Sequence, residues 1–330
     1  MSRRIFDLGA NPLVINGEVC EQEKSKYFKE VEIMPDSIGY DRGVHLRGTP
    51  LWFDCHRRKE YSVLTSLIGK LPPNHARVLA PMALANTLEV LGYGKSVLPA
   101  HWNKWIVFGG QKVKFIDFGG LFGTGGALIA GAERVLVAGL LPLETNIQWQ
   151  SADHLVAVLP ALSHRGAPVE QVVGNLVQFV EQASQDGVSA GIYVDSFDIG
   201  YFLVQALRTA GVAMRPLGLL AKALRDKESP RQGVRIALVG SALRADRRCW
   251  VDSGIRGSVR NYLGKSPDAT FRLKWYADLP AVKQVLRRTG VSQLSLIGAD
   301  SRKAADLSGQ FGAKIEVRGL TSSRQLEFVS

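Results

Sequence analysis

Ile116-Asp-Phe-Gly-Gly-Leu-Phe-Gly-Thr-Gly-Gly-Ala-Leu-Ile129, followed by Val135-Leu-Val-Ala-Gly-Leu-Leu141, is the stretch whose reading decides the fold. Two apolar runs, 126–130 and 134–138, flank Gly131-Ala-Glu, which is a hairpin pattern. One step upstream, 104–108 and 112–118 flank Gly109-Gly110, a dipeptide that accepts the positive φ angles of a tight turn. Short strands are also expected at 51–54, 61–66, 77–80 and 154–159, and a helix at 81–91 opening on a proline. Residues 10–19 and 28–33 are weaker strand candidates.

Further on the rhythm changes. Val169, Val172, Val173, Leu176, Phe179 and Val180 form an apolar stripe, predicting a helix over 169–185. Helices over 202–210, 279–289 and 301–311 each run into a glycine, Gly211, Gly290 and Gly312, the usual stop. Strands are expected at 191–195, 235–239, 292–297 and 314–317. An antiparallel, hairpin-rich first half thus precedes a βα-alternating second half, an α/β chain of two sheets between helices with a smaller α/β insertion.

Composition narrows the class. The 330 residues are 46% hydrophobic and 22% charged, enough for a large core. The longest apolar run, 135–143, is too short to span a membrane and contains Gly139 and Pro142. Met1-Ser-Arg-Arg-Ile-Phe-Asp has no apolar core behind it, so no signal peptide is expected. Cys20, Cys55 and Cys249 lie far apart and form no CxxC pair, which fits reduced thiols and a cytoplasmic location. Formal net charge is +11, and residues 222–260 hold ten Lys/Arg against four Asp/Glu, an excess of six. Such a stretch attracts a phosphate backbone, although a solvated face or an acidic protein partner would account for it too.

In order, Leu51-Trp-Phe-Asp54, Val63-Leu-Thr-Ser66 and the two opening segments resemble the successive motif strands of metallo-β-lactamase-fold nucleases. The β-CASP-like branch is closest, with its RNA 3′-end processing factors and bacterial ligase-associated exonucleases. Ala152-Asp-His-Leu-Val, Ile192-Tyr-Val-Asp-Ser-Phe and Phe271-Arg-Leu-Lys-Trp-Tyr-Ala-Asp-Leu-Pro continue the likeness, which covers residues 40–320. It implies an αββα metallo-β-lactamase-type sandwich with an inserted β-CASP-like cap: residues 1–165 as its first half, 166–265 as the cap, and 266–330 as its completion.

Active members of that family hold two zinc ions through a His-x-His-x-Asp-His turn, a Gly-His, a Gly-Asp and a final His. At the corresponding positions this chain has Ser66, Ile68, Lys70 and Leu71, then Gly120, Leu140, Tyr276 and Gly298. Leu and Ile cannot ligate zinc, and Lys places a cation where a dication belongs. Asp54 remains from the first motif, in a supporting role. The likeness therefore implies a pseudoenzyme with no cofactor and no metal, serving as a subunit beside a helicase or an active nuclease in a DNA- or RNA-processing or defence assembly. An active phosphodiesterase with relocated ligands, for instance at His45, Asp54 and His56, is the alternative. His101, His154 and His164 are isolated, and Ser66 and Ser241 have no base at recognisable spacing. Gly123-Thr-Gly125-Gly126 has the glycines of a phosphate loop without the Lys-Ser/Thr that completes one.

Binding would then rest on charge and stacking. The candidates are Arg57, Arg58 and Lys59 at a strand end, and Arg244, Arg247 and Arg248 with Trp250 beside them, followed by Arg256 and Arg260. An exposed basic helix with a half-buried Trp is the competing reading of the second group. Trp275 and Tyr276 are expected to plug the old cleft, with Leu71 and Leu140 filling the remaining volume.

Overall fold

The computed structural model describes residues 38–67, 72–93, 96–119, 124–141, 150–158, 165–225, 234–241, 243–253, 266–275, 277, 279–297, 301–311 and 315–320. Three sheets carry the chain. The first has six strands in sequence order: β1 (Ile38–Tyr40), β2 (Val44–Leu46), β3 (Leu51–Phe53), β4 (Tyr61–Val63), β5 (Arg77–Pro81) and β6 (Val97–Ala100). The second joins β7 (Trp105–Phe108), β8 (Gln111–Asp117), β9 (Gly125–Ala130), β10 (Val135–Leu140) and β11 (His154–Val158) to β17 (Gln293–Ile297) and β18 (Glu316–Leu320). Its order is β18-β17-β11-β10-β9-β8-β7.

These two sheets pack face to face. Leu46, Leu51, Phe53, Val63 and Leu79 of the first meet Val113, Phe115, Ile129, Val137 and Val156 of the second. Strict alternation selects these residues, since neighbours in a strand point to opposite faces. In β5, Leu79 enters the sandwich while Val78 and Ala80 pack outward with Leu84 and Leu88 of α1 (Met82–Val90). Both faces of β5 are thus buried, and from Val78 to Pro81 its sequence is apolar without a break. On the far side of the second sheet, α5 (Leu279–Thr289) and α6 (Ser301–Phe311) cover Leu128, Leu136 and Leu294 through Val282, Val285, Leu286 and Leu307.

The third sheet is parallel throughout, with order β13 (Met214–Pro216), β14 (Val234–Leu238), β12 (Ala190–Val194), β15 (Arg247–Asp252) and β16 (Ala269–Arg272). One face buries Ile192, Val194, Ile236, Cys249 and Val251 with α2 (Val169–Gln185) and α3 (Phe197–Thr209). The short α4 (Leu219–Ala223) adds Leu220, and the same core reaches α1, so this unit sits against the outer side of the first sheet.

Several expectations hold to the residue. The helices at 169–185, 279–289 and 301–311 lie where their apolar stripes place them. Gly109 and Gly110 make the β7–β8 turn with φ of 56° and 77°, and a Cβ on Gly109 would stand 2.8 Å from Leu51 Cδ2. Others need correction. The first half is not antiparallel throughout: β3, β4, β5 and β6 are parallel, because long connections and α1 return the chain to the same end. Gly125 and Gly126 are not loop residues but belong to β9, paired with Asp117 and Ile116. The basic segment at 247–252 is a strand, not an exposed helix. β16, which ends at Arg272, pairs with β15 as the outer strand of the third sheet. The weak strand candidates at 10–19 and 28–33 fall outside the described residues. Among the described residues no helix is long and apolar enough to cross a membrane.

Candidate functional site at the strand ends

The position the sequence marks out lies where β3, β4 and β10 end together. Asp54 follows β3 with φ of 45°, a left-handed conformation that a short polar side chain tolerates. Its Oδ1 accepts the Thr65 N–H at 2.8 Å and its Oδ2 the Thr65 hydroxyl at 2.5 Å. Burial pushes the Asp54 carboxyl up to about 6, against the lowering effect of the Thr65 hydroxyl and the Thr65 and Ser66 N–H groups. Thr65 in turn accepts the Gly125 N–H at 3.0 Å through its carbonyl, tying β9 to the same point.

Gly139 closes the site from the second sheet. The β10–β11 register shifts between Ala138 and Leu140, and at Gly139 a Cβ would stand 2.3 Å from Thr65 Oγ1 and 2.9 Å from Ser66 Oγ. A bare glycine is what lets β10 approach β4 this closely. Thr65 is fully buried and Ser66 is 9% exposed, with its Oγ lacking a partner. A buried hydroxyl already donating to a carboxylate is no nucleophile, and Ser66 has no imidazole to activate it among the described residues.

Of the positions that the resemblance aligns with metal ligands, Ser66 stands at this point, and the backbone of Leu140 runs beside it in β10. Leu140, Val158 and Ile297 align in register at the same edge, and the Ala277 N–H donates to the Leu141 carbonyl at 3.0 Å. Ile68, Lys70, Leu71, Gly120, Tyr276 and Gly298 lie outside the described residues, as does the side chain of Leu140.

The relocated site does not assemble. His45 stacks on Trp52 at 4.3 Å and its Nε2 bonds the Thr49 carbonyl, while Asp54 faces Thr65. Among the described residues no group of three or more His, Cys, Asp and Glu side chains gathers in a metal-ligating arrangement. His154 is buried against Ser295 Oγ at 2.8 Å, and burial pushes its ring down to about 4. His75 behaves likewise, with Nδ1 accepting the Lys59 N–H at 3.0 Å. His101 is exposed, and His164 lies outside the described residues.

A second polar centre, which the sequence did not signal, sits at the carboxyl ends of β12 and β15. Asp195, 1% exposed, accepts the Ser253 N–H at 2.9 Å and its hydroxyl at 2.7 Å through Oδ2; Oδ1 has no partner. Burial, with neighbouring Asp252 and Asp198 adding to it, raises its carboxyl to about 6 against the lowering effect of the Ser253 hydrogen bonds. Asp198 accepts the Ser196 hydroxyl at 2.5 Å and Trp275 Nε1 at 2.8 Å. Trp275 also packs on Phe202, so it ties the chain after β16 to α3.

The basic candidates divide. Arg57 is paired with Asp41 at 2.8 Å, Lys59 lies over the Trp52 ring at 3.2 Å, and Arg58 is exposed. Arg247 pairs with Asp186 at 2.9 Å. Trp250 is 5% exposed and packed with Tyr193, Ala237, Val239 and Leu243, so it has no free face for a base; this corrects its assignment as a stacking residue. Arg256 and Arg260 lie outside the described residues. The register instead aligns Arg215, Arg235, Gly191 and Arg248 across one face of the third sheet. Segment 243–245 crosses above Gly191, exposing Arg244, whose carbonyl accepts Arg235 Nη1. Arg215 and Arg235 were not singled out in the sequence, because only strand pairing puts them beside Arg248.

No protein-family model matches the chain, and no curated protein does. Among solved structures, a protein of unknown function from Enterococcus faecalis V583 is similar at 10% identity, with 81% of each chain covered and a TM-score of 0.49. A mutant flavo di-iron protein from Thermotoga maritima is similar at 11% identity over 81% of this chain and 76% of that one, with a TM-score of 0.20.

Proposed function

We propose that this chain is a metallo-β-lactamase-type sandwich with a β-CASP-like cap and a replaced metal site, acting as a non-catalytic, nucleic-acid-associated scaffolding subunit. One observation carries the reading. Where β3, β4 and β10 converge, Gly139 packs directly against the Thr65 and Ser66 hydroxyls, and Asp54 is consumed by Thr65. Among the described residues, the groups that meet there are hydroxyls, one carboxylate and backbone, and none is an imidazole. Two facing sheets flanked by helices, and an inserted parallel sheet, agree with the architecture.

The nucleic-acid half rests on the arginine row of the cap. Arg215, Arg244 and Arg248 offer guanidinium groups to phosphates, Arg235 holds the Arg244 carbonyl beside them, and stacking plays no part. A helicase or an active nuclease is the partner such a subunit would serve.

Two measurements test this. Elemental analysis of the purified protein, with phosphodiesterase assays on single- and double-stranded substrates, should give no stoichiometric metal and no cleavage; stoichiometric zinc or manganese with cleavage would sink the proposal. Binding of labelled DNA and RNA should weaken with salt, and the Arg215→Glu, Arg244→Glu, Arg248→Glu triple variant should flatten that dependence.

A further inference from the structure

Among the described residues, the large apolar side chains left open to solvent are Leu98 at 48%, Trp105 at 46% and Val107 at 38% exposure. All three lie on the two strands that end the sheets of the sandwich. Leu98 is on β6, the last strand of the first sheet, and Trp105 and Val107 are on β7, the last strand of the second. Residues 101–104 join the two strands, and among the described residues neither has a second strand partner, so both edges are on one side of the molecule. Open strand edges are normally blunted, because an unpaired row of N–H and C=O groups templates another strand. Here the edge strand instead turns Trp105 and Val107 outward, as an interaction surface would.

Charge says what fits. Trp105 pairs in register with Lys114 and Val107 with Lys112 on β8, so the lysines stand beside the exposed apolar pair on the same face. Lys114 Nζ lies 4.7 Å from the Trp105 ring centre and donates to Gln150 Oε1 at 3.1 Å. Lys104 precedes the strand and is exposed. A second copy of this chain is a poor occupant: edge-to-edge pairing would set lysines against lysines in two molecules each of net charge +11. A nucleic acid could meet the lysines but has no amide ladder to complete the strand edge.

We propose that β7 is a docking edge for an extended, acidic segment of a partner protein, which adds as an eighth strand. Its main chain pairs with the open side of β7. Its apolar side chains rest on Trp105 and Val107, and its carboxylates face Lys104, Lys112 and Lys114. The inference rests on the scaffolding part of the function proposed above and is independent of the cap arginines.

A photo-crosslinking residue placed at Trp105 in the full chain, expressed in its native host, tests it. The adduct is sequenced by mass spectrometry. The expected product is one peptide segment rich in Asp and Glu with alternating apolar residues, and Lys104→Glu with Lys114→Glu should cut its yield about tenfold. The β7 amides should also gain protection from hydrogen exchange when a synthetic peptide of that segment is added. An adduct with DNA or RNA, an adduct between two copies of this chain, or a yield unchanged by the lysine reversals would overturn the proposal. Salt-dependent nucleic-acid binding, measured on the same variants, should stay as in the parent, so loss of this docking edge and loss of the cap's function are told apart.

Discussion

The Asp54 carboxylate accepts both the hydroxyl and the backbone N–H of Thr65, at 2.5 and 2.8 Å, so one side chain locks the end of β3 to the end of β4. Gly125 extends the link to β9, and Gly139 rests on the same hydroxyl from β10. Both sheets of the sandwich are therefore pinned at one polar point.

Thr65→Val keeps the shape and removes the hydroxyl donor. The Asp54 carboxyl then lacks one bond inside a desolvated pocket, and the variant should lose about 1–3 kcal/mol, read from urea unfolding. No change in the unfolding midpoint would contradict the pinning role.

Glycines 139 and 174 form a matched pair. At Gly139 an added methyl meets Thr65 Oγ1 at 2.3 Å, whereas at Gly174, within α2, nothing lies within 4 Å. Gly139→Ala should destabilise by roughly 3 kcal/mol or more, since backbone and buried hydroxyls must shift. Gly174→Ala should stabilise by roughly 0.5–1 kcal/mol, as a helix interior prefers alanine. Thermal unfolding of both variants checks the contrast.

Asp195 titrates at about 6 in the folded chain against 3.8 for an unperturbed carboxyl, chiefly through burial. Its folded form binds the proton more tightly than its unfolded form. The stability it contributes is therefore complete below pH 3.8 and is lost as pH rises through 6. Asp195→Asn should remove that decline, worth on the order of 1–3 kcal/mol between about pH 4 and 7. Urea midpoints at several pH values, compared with the parent, measure the difference.

His154 acts in the opposite sense. Burial, then the Arg318 charge, lowers its ring from 6.5 to about 4, so the folded state binds its proton less well. Its contribution is complete above pH 6.5 and disappears as pH falls through 4. His154→Gln should therefore flatten the acid limb of the stability curve while Asp195→Asn steepens it, and identical acid limbs would refute both assignments.

In nucleic-acid binding, Trp250→Phe should leave the affinity for single strands unchanged, because the ring is enclosed. Arg215→Glu should lower the slope of log affinity against log salt by about 0.7 for each phosphate that the side chain no longer neutralises. Fluorescence anisotropy over a range of salt concentrations reads both.

Where the chain is periodic, the structure could be foreseen. The α2 stripe from Val169 to Val180 needs only helical geometry and a core to face, and Gly109-Gly110 needs only the turn. Arg247-Arg-Cys-Trp-Val-Asp252 misled because its charges hide the alternation. Cys249 and Val251 face the helices, whereas Trp250 faces the opposite cluster, and a strand buried on both sides has no polar face to announce it.

The candidate site divides in the same way. The resemblance singles out Ser66, Ile68, Lys70, Leu71, Gly120, Leu140, Tyr276 and Gly298, and that these residue types make a poor zinc set is legible in the sequence, since ligand chemistry belongs to the side chain itself. Side-chain pattern likewise set the α/β class and the placing of the helices at 169–185, 279–289 and 301–311, whereas α3 begins five residues before its expected start. Only the tertiary structure decided that Asp54 is spent on Thr65, that Gly139 fills the space beside Ser66, and that Arg215 joins Arg235 and Arg248 in one row. These are contacts between residues far apart in the chain. Strand register and sheet packing create them, and no local propensity encodes either.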